Sequence, residues 1–207
     1  ILYTLIYSFH MPAFLFLSGM FARFDRGKWI FGMALPYLLL QWVYTAFVEK
    51  LGDPWVHVQF SRPYWILWYL FVLMVYTLLL PVYDTPSPAG RWLMVAASVA
   101  LALLAGFDKS IDYQWSASRI VAFQPWFLLG YYFKRAEGLR ARWNGAGRTF
   151  RGMLLGLGAV CCVALEWLML RQGVTAKMML GAYGYEDLGY SWQVRALIMC
   201  CAVGVIL

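Results

Sequence analysis

The stretch SFHMPAFLFLSGMF, residues 8–21, decides how this chain is interpreted, because it places polar and helix-bending residues inside an apolar run. His10 stands two residues before Pro12, in a segment otherwise apolar enough to cross a bilayer. A polar group in lipid needs a partner, and ionisable residues inside membrane spans often line functional cavities. His10 therefore has three open interpretations: a catalytic group, part of a polar cavity wall, or a histidine satisfied by a neighbouring helix.

Pro12 lacks a backbone N–H and clashes with the carbonyl of Ser8, so the chain either bends beside His10 or starts a new helix there. Ser18 and Gly19 form a small pair that either permits close approach of another helix or exposes backbone to a ligand. Spacings of three and four residues predict one apolar stripe, which comprises Tyr3, Tyr7, His10, Phe14, Leu17 and Phe21. Such an aromatic stripe is more often packing than a substrate path.

The composition indicates that the whole chain, and not only residues 8–21, belongs to a membrane protein. Of 207 residues, 63% are hydrophobic and only 13% charged, whereas a soluble domain carries about a quarter charged residues. The net charge of +7 lies in short loops between apolar segments, which favours the positive-inside rule over nucleic-acid binding. The sequence has no nucleotide-binding loop, zinc-ligand spacing or serine nucleophile elbow, so we expect no metal.

Seven apolar segments predict an all-α fold, a polytopic transmembrane helix bundle that forms one domain over residues 1–207. Their approximate limits are 2–22, 30–48, 64–83, 92–107, 119–133, 151–170 and 195–207. The chain begins and ends inside apolar runs, so we expect it to be partial at both ends.

The loops divide by charge. If the first segment runs inward, the inside loops are 23–29, 84–91 and 134–151, and they hold ten basic and three acidic residues. The outside loops and helix edges hold seven basic and six acidic residues. The positive-inside rule therefore predicts that the residue 1 end lies outside and that the three basic loops are cytoplasmic. The loop 84–91 is expected to be a tight turn, and the loop 134–151 either lies on the anionic membrane face or recognises a CoA-like ligand.

Polar residues near the segment ends are candidates for chemistry. Trp68 belongs either to an aromatic belt or to a surface on which a sugar stacks. Arg119 either snorkels or points inward as the partner of an anion or carbonyl. Gln124 and Pro125 follow it and predict irregular backbone beside a cavity. Glu166 is expected to snorkel or to pair with a basic group of another helix.

Two further groups of residues are a basic cluster after the first segment and the cysteines inside two apolar segments. Arg23, Arg26 and Lys28 crowd the inner mouth of the first segment, as stop-transfer charges or as a clamp for donor phosphates. The cysteines form two adjacent pairs, 161–162 and 200–201. Adjacent helical residues point about 100° apart, so neither pair chelates a metal alone, and we expect buried packing residues.

Four stretches carry a resemblance to a known family. SFHMPAFLFLSGMF resembles the FHMPxFFFxSG segment of the acyltransferase 3 family, polytopic bacterial membrane proteins that move acyl groups, often acetyl, onto sugars and other hydroxyl acceptors. ARFDRGK at 22–28, ILWYLFVLMVYTLLLP at 66–81 and SRIVAFQPWFLLGYYF at 118–133 are similar to family stretches in the same order. The fucose 4-O-acetylase-like branch is the one suggested.

The resemblance implies a domain of about ten spans in the bacterial inner membrane, of which this chain would hold the second to the eighth. It implies acetyl transfer from acetyl-CoA to a carbohydrate, with the principal histidine on the helix before the quoted segment. His10 and Arg119 would then support catalysis from the cavity, and the expected substrate-binding residues are Arg23, Arg26, Lys28, Trp68 and Gln124. A transporter or exporter of a small polar or glycan-like substrate and a structural membrane subunit are the alternatives.

Overall fold

A computed structural model describes residues 2–52, 60–108, 114–136, 145 and 147–206. Within these ranges the chain is helical and contains no strand. The long helices are α1 (Leu2–Phe21), α3 (Leu35–Lys50), α4 (Leu67–Leu78), α6 (Pro88–Leu104), α7 (Ala117–Arg135), α8 (Arg148–Arg171) and α11 (Trp192–Ile206). The short ones are α2 (Arg26–Trp29), α5 (Leu80–Tyr83), α9 (Ala176–Met179) and α10 (Tyr185–Leu188), with a π-helical turn at Ile30–Ala34 and a 3-10 turn at Gln114–Ser116.

Helices lie at all seven predicted apolar segments, which confirms the all-α prediction for the described ranges. Two apolar stretches, Arg26–Lys50 with 25 residues and Arg148–Arg171 with 24, are long and apolar enough to cross a membrane. Other apolar helical stretches have only 10–17 residues, so the number of seven membrane spans stays a prediction.

The helix directions alternate as a multi-pass chain requires. α1 and α7 run parallel, since Ser8 and Pro12 share a cavity wall with Phe123 and Trp126, whereas Phe21 lies under Lys134 near the far end of both helices. α4 also runs parallel to α7, because Trp68 stacks on Phe123 and Tyr76, about two turns later, contacts Phe127. α3 and α4 are antiparallel, because Tyr37 contacts Phe71 while Tyr44, two turns later, stacks on the earlier Tyr64.

The basic loops lie at one end of this bundle. Lys134 stands over the Phe21 ring, and the Tyr132 hydroxyl donates to the Tyr83 carbonyl at 2.8 Å, so the chain segments after α1, α5 and α7 are neighbours. At the opposite end, the Tyr185 amide donates to the Gly106 carbonyl at 2.9 Å. We call these the basic end and the opposite end; their orientation across a membrane stays a prediction.

Both internal prolines lie within continuous helices. α1 runs through Pro12 and α7 through Pro125, and both side chains are buried. A restarted helix at Pro12 and irregular backbone at Gln124 are therefore wrong, because flanking turns packed in the bundle hold the helix despite one missing hydrogen bond. The irregular backbone lies instead just before α7, where Trp115 and Ser116 have φ of 54° and 50°.

Capping residues make two predicted loops shorter than expected. Asp25 accepts a hydrogen bond from the Lys28 amide and starts α2 inside the predicted loop 23–29. Ser87 accepts one from the Gly90 amide, with Pro88 at the first helical position, so α6 begins inside the predicted loop 84–91. The tight turn is thus confined to residues 84–87.

The packed face of α1 differs from the predicted stripe. Phe14, Leu17 and Phe21 are exposed. The buried side is instead formed by Ser8, Pro12, Leu15, Phe16 and Gly19. Helix α7 selects this side because its own glycine permits close backbone contact there.

The cysteines lie where α8 packs against α11. Cys201 is buried and Cys162 is half-buried opposite Gly204, whereas Cys161 and Cys200 are exposed. The expectation of buried packing cysteines is therefore confirmed for Cys201 and wrong for Cys161 and Cys200, since adjacent helical residues cannot both face one neighbour.

Candidate functional site

Two candidate site residues, Arg119 and Trp68, meet near the starts of α7 and α4. The Arg119 guanidinium carbon lies 4.8 Å from the centroid of the Trp68 ring, and Phe123 stacks on the same indole at 5.4 Å. Both side chains are 5% exposed. Arg119 therefore points into the bundle rather than snorkelling, and a desolvated cation over an indole is stabilised by about 2 kcal/mol.

Burial also decides between the two interpretations of Trp68. Its ring is not part of an exposed aromatic belt, because Arg119 and Phe123 contact it inside the bundle. Stacking of a sugar on Trp68 stays a prediction, and it would require one of these two side chains to move aside.

Gln124 joins helices away from Arg119. Its amide nitrogen donates to the Tyr83 hydroxyl at 2.9 Å, and the Tyr132 hydroxyl donates to the Tyr83 carbonyl. The polar side chain beside Pro125 thus links α7 to α5, toward the basic end. A substrate contact by Gln124 stays a prediction.

His10 is half-buried on α1. Its Nδ1 lies 3.1 Å from the carbonyl oxygen of Ile6, and its ring meets Tyr7 edge-on with centroids 4.6 Å apart. A carbonyl oxygen only accepts, so Nδ1 carries the proton of this hydrogen bond. In the neutral ring, Nε2 is then left with the lone pair that can accept a proton from a hydroxyl.

A small cavity opens between α1, α7, α9 and α11. Its wall is mostly apolar and includes Phe123, Trp126, Met178, Met179 and Met199. Ser8 and Arg195 contribute polar side chains to this wall, and Pro12 adds the bend-prone turn of α1. His10 and Arg119 flank the lining residues in sequence but are not among them.

Ser8 connects this cavity to the one acidic residue of α8. Its hydroxyl donates to Oε1 of Glu166 at 2.7 Å, and Ser8 itself is 1% exposed. Oε2 of Glu166 is buried without a hydrogen-bond partner among the residues that the structure describes. Glu166 therefore pairs with a hydroxyl of α1, and the expected pairing with a basic group or snorkelling is wrong.

Arg195 fixes the segment between α8 and α11. Its guanidinium donates to the Ala102 carbonyl at 3.1 Å, the Tyr183 carbonyl at 2.9 Å and the Tyr190 hydroxyl at 2.8 Å. The Tyr185 ring lies 4.8 Å from the same cation. Burial raises the pKa of the Tyr185 hydroxyl above its usual value, and the positive charge of Arg195 opposes that rise.

The basic end presents exposed cations. Arg23, Arg26 and Lys28 are exposed around the start of α2. Arg135 stacks on the Tyr131 ring at 3.7 Å, close to where Lys134 covers Phe21. The structure thus brings the two sequence-distant basic clusters to one end, which an anionic ligand could approach from solvent.

The two polar cavity residues, Ser8 and Arg195, were not singled out from the sequence. Arg195 stands three residues inside α11, at the start of an apolar run. That position was the available signal, because a charge inside a span is expected to face the bundle. Among the described residues, no three His, Cys, Asp or Glu side chains are placed to hold a metal ion.

The fold and site define a class: an all-helical bundle with membrane-length apolar helices and a buried arginine. A family model described as an acyltransferase domain matches residues 1–207. The chain therefore belongs to the acyltransferase 3 family, and its family activity is acyl transfer. No curated protein and no solved structure matches it significantly.

Proposed function

We propose that this protein is a membrane-embedded O-acyltransferase that moves an acyl group, expected to be acetyl, from a CoA thioester to a hydroxyl of a carbohydrate or cell-envelope glycan. The observation that carries the proposal is the family match over residues 1–207. The family supports acyl transfer, and the donor, the acyl chain and the acceptor are the parts that we add.

The charge distribution supports a CoA donor. CoA carries phosphate groups, and Arg and Lys side chains are the usual partners of phosphate. Arg23, Arg26 and Lys28 share the basic end with Lys134 and Arg135. A donor that approaches from this end would meet several cations without entering the bundle.

The reaction needs a base and stabilisation of an oxyanion. The acceptor hydroxyl oxygen attacks the thioester carbonyl carbon, a histidine takes the hydroxyl proton, and the C–S bond breaks to release CoA. Buried Arg119 is suited to stabilise negative charge on the carbonyl oxygen, because the low-dielectric site strengthens its field. Nε2 of His10 is available to accept a proton, in support of the principal histidine that the resemblance assigns to a preceding helix.

The proposed location is the bacterial inner membrane, with the residue 1 end outside and the basic end in the cytoplasm. The helix directions and the segregation of basic loops support this orientation. We also propose the fucose 4-O-acetylase-like branch, since the four resembling stretches occur in order over much of the chain.

The test is transfer of radiolabelled acetyl from acetyl-CoA to glycan in membranes that contain the intact protein. We expect base-labile label in the glycan, lost in Arg119→Ala and retained in Arg62→Ala, a matched change of an exposed arginine. If glycan crosses the membrane unmodified while no label is transferred, the transporter interpretation replaces ours.

A further inference from the structure

The start of α7 contains two buried serine side chains. Ser116, the residue before the helix, is 1% exposed, and Ser118 in its first turn is 7% exposed. Neither side-chain oxygen has a hydrogen-bond partner in the part of the chain that the structure describes. Buried hydroxyls are normally hydrogen-bonded, so two unpaired ones within three residues indicate a missing partner.

The helix end itself lacks the usual cap. Ser116 has the left-handed conformation, with φ 50° and ψ 32°, and its side chain accepts no hydrogen bond from the first helical turn. No side chain caps the amides of that turn, and the 19-residue helix adds partial positive charge at this point. At α6, by contrast, Ser87 caps its own helix through the Gly90 amide.

Arg119 adds a full positive charge in the same turn. Its guanidinium is held over Trp68 inside the bundle, where little water screens it. Hydroxyl donors, helix amides and a guanidinium together favour a negatively charged group over a neutral sugar hydroxyl. Trp115, the residue before this turn, is 52% exposed, and its ring packs against Phe71.

We propose that the N-terminus of α7, through Ser116 and Ser118 and in the field of the Arg119 charge, binds an anionic group of the acceptor, a carboxylate or a phosphate. The identification of the bound anion as part of the acyl acceptor rests on the proposed function. The anion-binding site itself does not depend on that function. The acceptor class would then be an acidic or phosphate-bearing glycan rather than a neutral one.

The test is thermal unfolding of the intact protein in nanodiscs, titrated with inorganic phosphate, glucuronate, acetate or glucose at constant ionic strength. Ligand that binds only the folded state raises the midpoint with its concentration. We expect a shift with phosphate or glucuronate and none with glucose. A rise of the midpoint with phosphate alone identifies a phosphate group as the natural ligand. A rise with glucuronate at concentrations where acetate has no effect identifies an acidic sugar.

Serine variants separate binding from folding. Ser118→Ala should weaken the apparent anion affinity about tenfold, as expected for one hydrogen bond to a charged group. Ser116→Gly tolerates the left-handed backbone, so it should keep the midpoint without anion while also losing about tenfold in affinity. Ser87→Ala should lower the midpoint through its lost cap but leave the anion affinity unchanged.

The outcomes distinguish this inference from the proposed function. Equal anion affinity in the wild type, Ser118→Ala and Ser116→Gly, or no anion response at all, would overturn the site. Transfer of acetyl to neutral and acidic glycans at equal rates would overturn the acceptor class while leaving the proposed function intact. Serine-dependent anion binding without acetyl transfer would support the site and contradict only the proposed function.

Discussion

Gly19 of α1 and Gly130 of α7 form a reciprocal contact between the two helix backbones. A β-carbon added to Gly19 would run into the carbonyl of Phe127, and one added to Gly130 would run into the carbonyl of Phe16. The predicted small pair at Ser18 and Gly19 is thus confirmed as a helix-packing site. This contact holds α7, and with it Arg119, at a fixed distance from the helix that carries His10.

Alanine at either glycine should push the helices apart. We expect Gly19→Ala and Gly130→Ala each to destabilise the protein by about 1–3 kcal/mol, because backbone carbonyls cannot yield as side chains do. Thermal unfolding in nanodiscs measures the effect. Gly156→Ala in α8, where an added β-carbon meets nothing within 4 Å, is the control and should be neutral or stabilising. Equal losses in all three variants would contradict the packing role.

The Arg119–Trp68 contact should matter for activity as well as stability. Arg119→Lys keeps the charge but loses the planar guanidinium over the indole, and we expect kcat/KM for acyl transfer to fall roughly 10–100-fold. Arg171 lies 4.1 Å from the Trp167 ring with both side chains exposed. Arg171→Lys should therefore retain activity. An Arg119→Lys variant with wild-type kcat/KM would remove this residue from the site.

The Ser8–Glu166 hydrogen bond predicts an asymmetry between two conservative changes. Ser8→Ala removes the hydroxyl that donates to Oε1 of Glu166, which should cost about 1–3 kcal/mol. Glu166→Gln keeps a carbonyl oxygen that the Ser8 hydroxyl can reach, so it should cost less. Unfolding midpoints compare the two, with exposed Thr149→Ala on α8 as a neutral control. A larger loss of stability in Glu166→Gln than in Ser8→Ala would contradict this prediction.

The basic end should affect donor binding more than chemistry. Replacing Arg23, Arg26 and Lys28 together with alanine should raise the KM for acetyl-CoA about tenfold, with kcat largely unchanged, because exposed cations attract the phosphates and touch no reacting atom. The effect should shrink at high salt. A matched triple change at the exposed Lys50, Arg62 and Lys177 should leave KM unaltered. An equal rise in both triple variants would point to net charge instead of a local clamp.

The positions of the helices could be predicted from the sequence, whereas several boundaries could not. Continuous apolar runs of membrane length leave few alternatives to helices, so all seven segments are helical. Asp25 and Ser87 moved helix starts into predicted loops, because a single capping hydrogen bond is enough to extend a helix. Pro12 and Pro125 did not interrupt their helices, because packing on both sides outweighs one lost hydrogen bond.

The sequence by itself therefore determined the all-helical architecture, the charge difference between the loops and the family stretches. Only the tertiary structure decided which helix faces meet. It buried Ser8 rather than the aromatic stripe of α1, placed Arg119 over Trp68, and tied Arg195 to the segment before α11. The physical reason is that hydropathy fixes which segments are helical, while the rotation of each helix depends on close contacts, such as those of Gly19 and Gly130, between residues more than a hundred positions apart.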